Sequence, residues 1–384
     1  MKTMNYICLY LYFSYLTVIC YREIRVKKPE NLKNIYKIYN SWFTIENMRP
    51  VMTWDHVFFI KNNVLNAFNY KNIIFSASIY YPYGSGSYLK PIDAFSMTNF
   101  NFYSLFFTKD CSLRMYTDES NKETYFGLYN IDLNLKFEEL GPYCYETLRF
   151  YYDSNSHYAA VYNLYSKKII VFNLYDVAPS GRNKKYEEFF KVSMDNNIKK
   201  ALIFSSGEKI LLIGIDARGV VNFWNLKGYC EGFFNSISCA YNDFLIYSYQ
   251  IKDYQIYSYD QEFATIINDN ILLLIVNSKF ITFDLMNVKY MSTQMSFISK
   301  ISCVLELKDG NALVGTDKGY IHLIKYDYSK IKILDKRLLC PNQEIYSLSL
   351  NSNCTPETYT CYIITANCGG YIYIFEIRNS DTDL

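Results

Sequence analysis

The sequence predicts an all-β chain assembled from a repeated antiparallel unit, and three observations carry that expectation. A short apolar run, a tight polar corner and a second, alternating run ending in an aromatic residue recur together six times. The equivalent aromatic positions, Tyr116, Phe172, Trp224, Phe283, Tyr326 and Phe375, follow one another at roughly 42 to 60 residues, enough for four strands and their loops. Several corners carry a glycine, Gly219, Gly319 and Gly370, where a tight turn needs positive φ.

Taken in chain order, the copies run over Leu105–Asp118, Tyr158–Leu174, Leu211–Leu226, Ile271–Leu285, Ala312–Asp327 and Tyr362–Arg378. Each reads as a β-hairpin: an apolar strand, a turn, a second strand closing on an aromatic residue followed by a polar one. In the third copy, L-L-I-G-I-D-A-R-G-V-V-N-F-W-N-L, Asp216 is placed to hydrogen-bond the turn backbone, and Asp317 is read the same way in the fifth. A hairpin cannot bury both its faces alone, so the copies must stack on one another. Trp224 is expected to be largely buried between neighbouring units.

These segments resemble degenerate WD-repeats, the units of a β-propeller. Gly214 to Leu226 carries the resemblance best, with Trp224-Asn225 in the place of the family's Trp-Asp pair. The Gly-His pair that opens such repeats is absent, so the resemblance does not carry over the family's His-to-Asp hydrogen-bond network. It implies a single β-propeller of about seven four-stranded blades over residues 29–384. The seventh, irregular blade is expected from Val51 to Met97, with a turn-like stretch from Tyr81 to Tyr88. Because the chain stops soon after the last third-strand pattern, Asn31 to Asn40 is expected to supply the missing outer strand and close the ring.

Residues 1–28 stand apart. Met4 to Tyr21 is almost unbroken apolar and aromatic, with Lys2 before it and a basic cluster ending at Lys28. That outline fits a signal peptide or short anchor, while its Tyr and β-branched content equally fits a packed strand. A membrane contact is expected only if residues 4–21 are an anchor. The body is read as cytoplasmic, the alternative being the secretory pathway, to which the N-x-T sequon at Asn353 to Thr355 would belong.

Composition removes several function classes. Lys and Arg total 39 against 37 Asp and Glu, for a net charge of +2 with no long run of either sign, so no nucleic-acid partner is expected. The 41 Tyr and 27 Phe, with abundant Ile, Asn and Lys, match the residue choice of an AT-rich genome. Eleven Cys without a CxxC pair and three scattered His, His56, His157 and His322, do not make a metal site; the Cys are read as free thiols filling the core.

Nothing resembles a nucleophile elbow, a zinc helix or a phosphate loop; Gly84 to Ser87 lacks the Lys and the strand-to-helix setting. No catalytic residue, cofactor or metal is therefore assigned. The basic loop Ala178 to Lys185 and the pair Lys199-Lys200 read as solvated connections, against a phosphate or lipid contact. The C-terminal Thr382 to Leu384 has a form that PDZ domains take up. The remaining reading is a non-catalytic scaffold that binds other proteins, with a secreted or anchored adhesion module and a propeller enzyme as alternatives. Tyr81, Tyr83 and Tyr88, clustered on a long loop, are the candidate partner contacts.

Overall fold

The computed structural model describes the backbone of strands between Cys8 and Ile377. Side chains are described over 149–349, save 154, 157, 173–189, 227–243, 255–262, 277–278, 295–299, 308–309 and 327–329, together with Cys368, Ile372 and Tyr373. Among the described residues every regular element is a strand, and the strands form six four-stranded sheets, one five-stranded sheet and one two-stranded pair. The four-stranded sheets are meanders, with consecutive strands hydrogen-bonded neighbours, and all pairing is antiparallel. The chain divides into two compact units. One comprises residues 1–83, 260–262 and 298–384, the other residues 84–259 and 263–297.

In the second unit the meanders cover 94–131, 148–193, 198–250 and 264–295, hereafter the second to fifth sheets. The fourth, of strands Ile198–Ser206, Lys209–Asp216, Val220–Asn225 and Leu245–Gln250, shows why the sequence reads as it does. Ala201, Ile203, Leu212, Trp224 and Leu226 share a cluster with third-sheet residues such as Ile169, Val171 and Val192, and with Met194 just beyond it. Their alternates Leu202, Phe204, Leu211, Ile213, Val221 and Phe223 pack with fifth-sheet residues such as Leu272, Leu274 and Phe283. A strand covered on both faces has no solvent side to mark with polar residues. That is why L-L-I-G-I is an unbroken apolar run.

Trp224 is 3% exposed, as expected, and sits between the third and fourth sheets. Space for it depends on Gly214, where an added Cβ would lie 2.9 Å from Trp224 Cζ3, Ile169 Cδ1 and Met194 Sδ. The next corner is held by Asp216, itself buried, whose Oδ1 accepts from the amides of Arg218 and Val220 at 2.9 Å. Its Oδ2 accepts from Asn196 Nδ2 at 2.8 Å. Asn196 precedes the first strand of the sheet, so its amide ties the entry to that strand to the corner after the second. Gly219 has φ +78° and the ring of Tyr254 lies against it, leaving no room for a Cβ.

The first unit contains the first sheet (Val51–Met52, His56–Lys61, Val64–Asn69, Ile74–Ile79), the sixth (Ile301–Glu306, Asn311–Thr316, Tyr320–Asp327, Lys330–Leu338) and the seventh. The seventh joins Ile345–Leu350, Tyr362–Cys368 and Tyr371–Ile377 to two segments from the other end of the chain, Leu32–Ile38 and Glu23–Ile24. Leu32–Ile38 runs antiparallel to Tyr371–Ile377, with Ile372 opposite Ile38 and Ile377 opposite Leu32. Sixth- and seventh-sheet residues share one core that includes Cys303, Leu313, Ile321, Leu323, Ile345, Cys368 and Tyr373.

All six hairpins read from the sequence are the second and third strands of consecutive sheets. Four details differ. Ala94–Met97 belongs to the second sheet and not to the irregular first one. The turn role expected of Asp317 falls to Thr316, whose Oγ1 accepts from Tyr320 N at 3.1 Å, because in register Thr316 is the counterpart of Asp216 and Asp317 that of Ala217. Lys199 and Lys200 lie within the strand Ile198–Ser206, and Lys200 is buried, so they are not a loop connection. Cys340 and Cys368 are paired as a disulfide with Cα atoms 6.5 Å apart, which corrects the reading of all cysteines as free; beside them lies the buried Cys303, whose Sγ donates to the Ile345 carbonyl at 3.3 Å.

In the N-terminal stretch the described pieces are Cys8–Leu9 and Ile19–Cys20, which pair antiparallel. Among the described residues no helix is long and apolar enough to cross a membrane. Gly370 lies outside the described residues.

Candidate protein interface

The contact residues expected from the sequence, Tyr81, Tyr83 and Tyr88, lie outside the described residues, as do His157 and the basic loop 178–185. His322 is described. It sits on the third strand of the sixth sheet, nearly buried, opposite Lys336 in register. Burial first, and the Lys336 charge second, push its pKa down from the usual 6.5 to about 4. The ring is therefore neutral at neutral pH, with Nδ1 buried and unpaired. Lys336 Nζ stands 4.1 Å from the Tyr320 ring centroid. Among the described residues no three His, Cys, Asp or Glu side chains are grouped to hold a metal ion.

What the described surface does offer is apolar area on the outermost strands. In the second unit Leu245 and Ile246 are exposed on the last strand of the fourth sheet, and Met286 on a turn of the fifth. Behind them runs an aromatic seam: Tyr249 stacks on Tyr290 at 5.0 Å with planes 4° apart, and meets Phe283 edge-on at 5.2 Å. Burial, followed by the neighbouring Tyr290 and Tyr247, raises the Tyr249 pKa. The seam ties the fourth sheet to the fifth and leaves tyrosine edges half-exposed, an arrangement with an apolar body and a polar tip suited to recognition.

In the first unit the corresponding strand, Lys330–Leu338, exposes Ile333, Leu334 and Leu338 among basic residues. Sequence reasoning missed both outer strands because it followed the more apolar second and third strands. The signal for the latter was present: K-I-K-I-L-D-K-R-L alternates basic and aliphatic residues as an edge strand does.

No protein-family model matches the chain, and no curated protein is similar to it in sequence. Solved structures do match in fold. One, a chain from a crystal structure of a mitotic checkpoint complex, superposes with a TM-score of 0.59 at 9% identity, covering 93% of this chain and 98% of that one. At that identity the likeness is one of fold alone. With 1391 solved chains sharing the likeness, the fold by itself selects no function. The succession of four-stranded antiparallel meanders fits a β-propeller.

Proposed function

We propose that the chain is a non-catalytic scaffold: a seven-bladed propeller, closed by Leu32–Ile38 on Tyr371–Ile377, that holds other proteins as a subunit of a complex. The supporting observation is the apolar surface left on the outermost strands, Leu245, Ile246, Ile333, Leu334 and Leu338, on sheets whose faces are otherwise packed. The fold likeness to a chain of a protein complex is in keeping with this. Residues 29–384 are taken as the propeller and residues 1–28 as a separate N-terminal segment. Tyr81, Tyr83 and Tyr88 remain candidate contacts, and the cytoplasm is the proposed location.

The test is affinity purification of the tagged chain from its own cells, followed by sizing. Partners in fixed stoichiometry are expected, weakened when Tyr81, Tyr83 and Tyr88 are replaced by Ser together. A chain that elutes alone as a folded monomer would refute the scaffold reading.

The Cys340–Cys368 bond favours a second reading, a propeller that works in an oxidising compartment such as the secretory pathway. Alkylation before and after reduction, with N-terminal sequencing of the mature chain, separates the two. Free Cys340 and Cys368 with an intact Met1 point to the cytoplasm; a blocked pair and a missing leader point to secretion.

A further inference from the structure

We infer that the last strand of the fourth sheet, Leu245–Gln250, is a self-association edge: two copies of this chain join through it, antiparallel, about a two-fold axis at Ser248. The inference concerns the assembly of the chain with itself and goes beyond the scaffold reading. The strand is the terminal member of its sheet, and among the described residues no strand pairs with its outer side. Main-chain groups left on such an edge are a template for a further strand.

The alternation of the ladder says which groups face outward. Ile251 N donates to Gly219 O at 2.9 Å, and Tyr249 and Tyr247 stand opposite Val221 and Phe223 in the same register. In an antiparallel pair every second residue bonds the neighbouring strand. Ile251, Tyr249 and Tyr247 therefore turn their main-chain groups inward, while Gln250 and Ser248 turn theirs outward. Ser248 is the outward residue nearest the middle of the strand, and it is exposed. A two-fold axis there lets the two Ser248 residues exchange both main-chain bonds, and sets Tyr247 of each copy opposite Tyr249 of the other.

The side chains say that the further strand is a second copy. From Phe244 to Ile251 the segment F-L-I-Y-S-Y-Q-I carries no charge, whereas the outer strands of the third, fifth and sixth sheets carry Lys191, Lys289 and Lys332. A charged edge repels its own copy, and this one lacks that protection. Laid antiparallel on itself it brings no like charges together and forms a tyrosine pair on each side of the axis. Tyr249 is already held in place by its stack on Tyr290. Beside the axis Leu245 is 40% exposed and Ile246, the extra residue of a β-bulge, 48%. The Met286 carbonyl accepts from Lys209 Nζ, which brings exposed Met286 to the same end of the fourth sheet and widens the apolar area.

Sedimentation equilibrium of the purified full chain over a dilution series should show monomer and dimer in exchange. S248K and S248E each set like charges against each other at the axis, at an exposed position, and each alone should weaken the dimer about fivefold or more. Mixed in equal amounts, the two variants bring opposite charges together and should associate more tightly than either alone, a rescue that requires residue 248 to meet its own counterpart. S248P removes an outward N–H and no bond to the neighbouring strand, so it should weaken the dimer about tenfold or more while the strand signal in circular dichroism is kept. If S248P loses that signal, the charge variants decide alone. A parent chain that is monomeric at every concentration overturns the inference; an edge that receives the strand of another protein would give that result. So does a dimer that S248K and S248E leave unchanged, or a mixture of the two that associates no better than either variant alone.

Discussion

Trp224 and Gly214 act as one packing unit. The indole occupies volume between two sheets that exists because residue 214 has no side chain. Trp224→Ala is expected to cost about 3 to 5 kcal/mol through the cavity it leaves, read as a fall in the urea midpoint at unchanged slope; an unchanged melting temperature would refute its placement between the sheets. Gly214→Ala inserts a methyl against three side chains and should cost about 1 to 3 kcal/mol. Because the two residues touch the same space, the double variant should fall short of the sum. His322 makes a second residue-level prediction. Its folded pKa, about 4, lies below the usual 6.5, so the unfolded chain takes up the proton first as pH falls. Its contribution is therefore full above about pH 6.5 and is lost on acidification toward pH 4, at up to about 1.4 kcal/mol per pH unit. Urea midpoints at pH 7.5 and 5 should diverge less in a His322→Gln variant than in the parent; an equal divergence would show that other groups carry the acid sensitivity.

At the scale of the element, the corners decide whether the hairpins form in register. Asp216 satisfies two turn amides and fixes Asn196. Asp216→Ala strands those donors in a buried place and should cost about 1 to 3 kcal/mol; Asp216→Asn, which keeps an acceptor, should cost less, and equal losses would mean that the charge matters more than the cap. The six hairpins were legible because period-two apolar runs flanking Gly, Asp or Asn leave a local trace. The first-sheet hairpin His56–Lys61 with Val64–Asn69 was missed, although Asn62-Asn63 lies between its strands and the second closes on Phe68-Asn69 as the six copies do. Outer strands such as Lys330–Leu338 pack less, carry mixed residues, and so leave a weaker signal. The same mixed character makes them the open surface.

At the scale of the whole molecule, the seventh sheet is completed by chain from the opposite end. Deleting residues 1–40 removes Leu32–Ile38 and leaves Tyr371–Ile377 with an unpaired edge. We expect the truncated chain to unfold at a lower urea concentration than the parent and to show early protease cleavage after residue 345. A truncated chain that unfolds like the parent would refute the proposed closure. The sequence by itself determined the strand class, the hairpins, the burial of Trp224 and a candidate outer strand near Asn31 to Asn40, because these depend on side-chain alternation, turn chemistry and chain length. Only the tertiary structure decided that Thr316, and not Asp317, caps its corner, that Lys200 is buried and that Cys340 meets Cys368. Each of these depends on which residues distant in the chain, or in a neighbouring strand, come to stand opposite, and no local pattern encodes that.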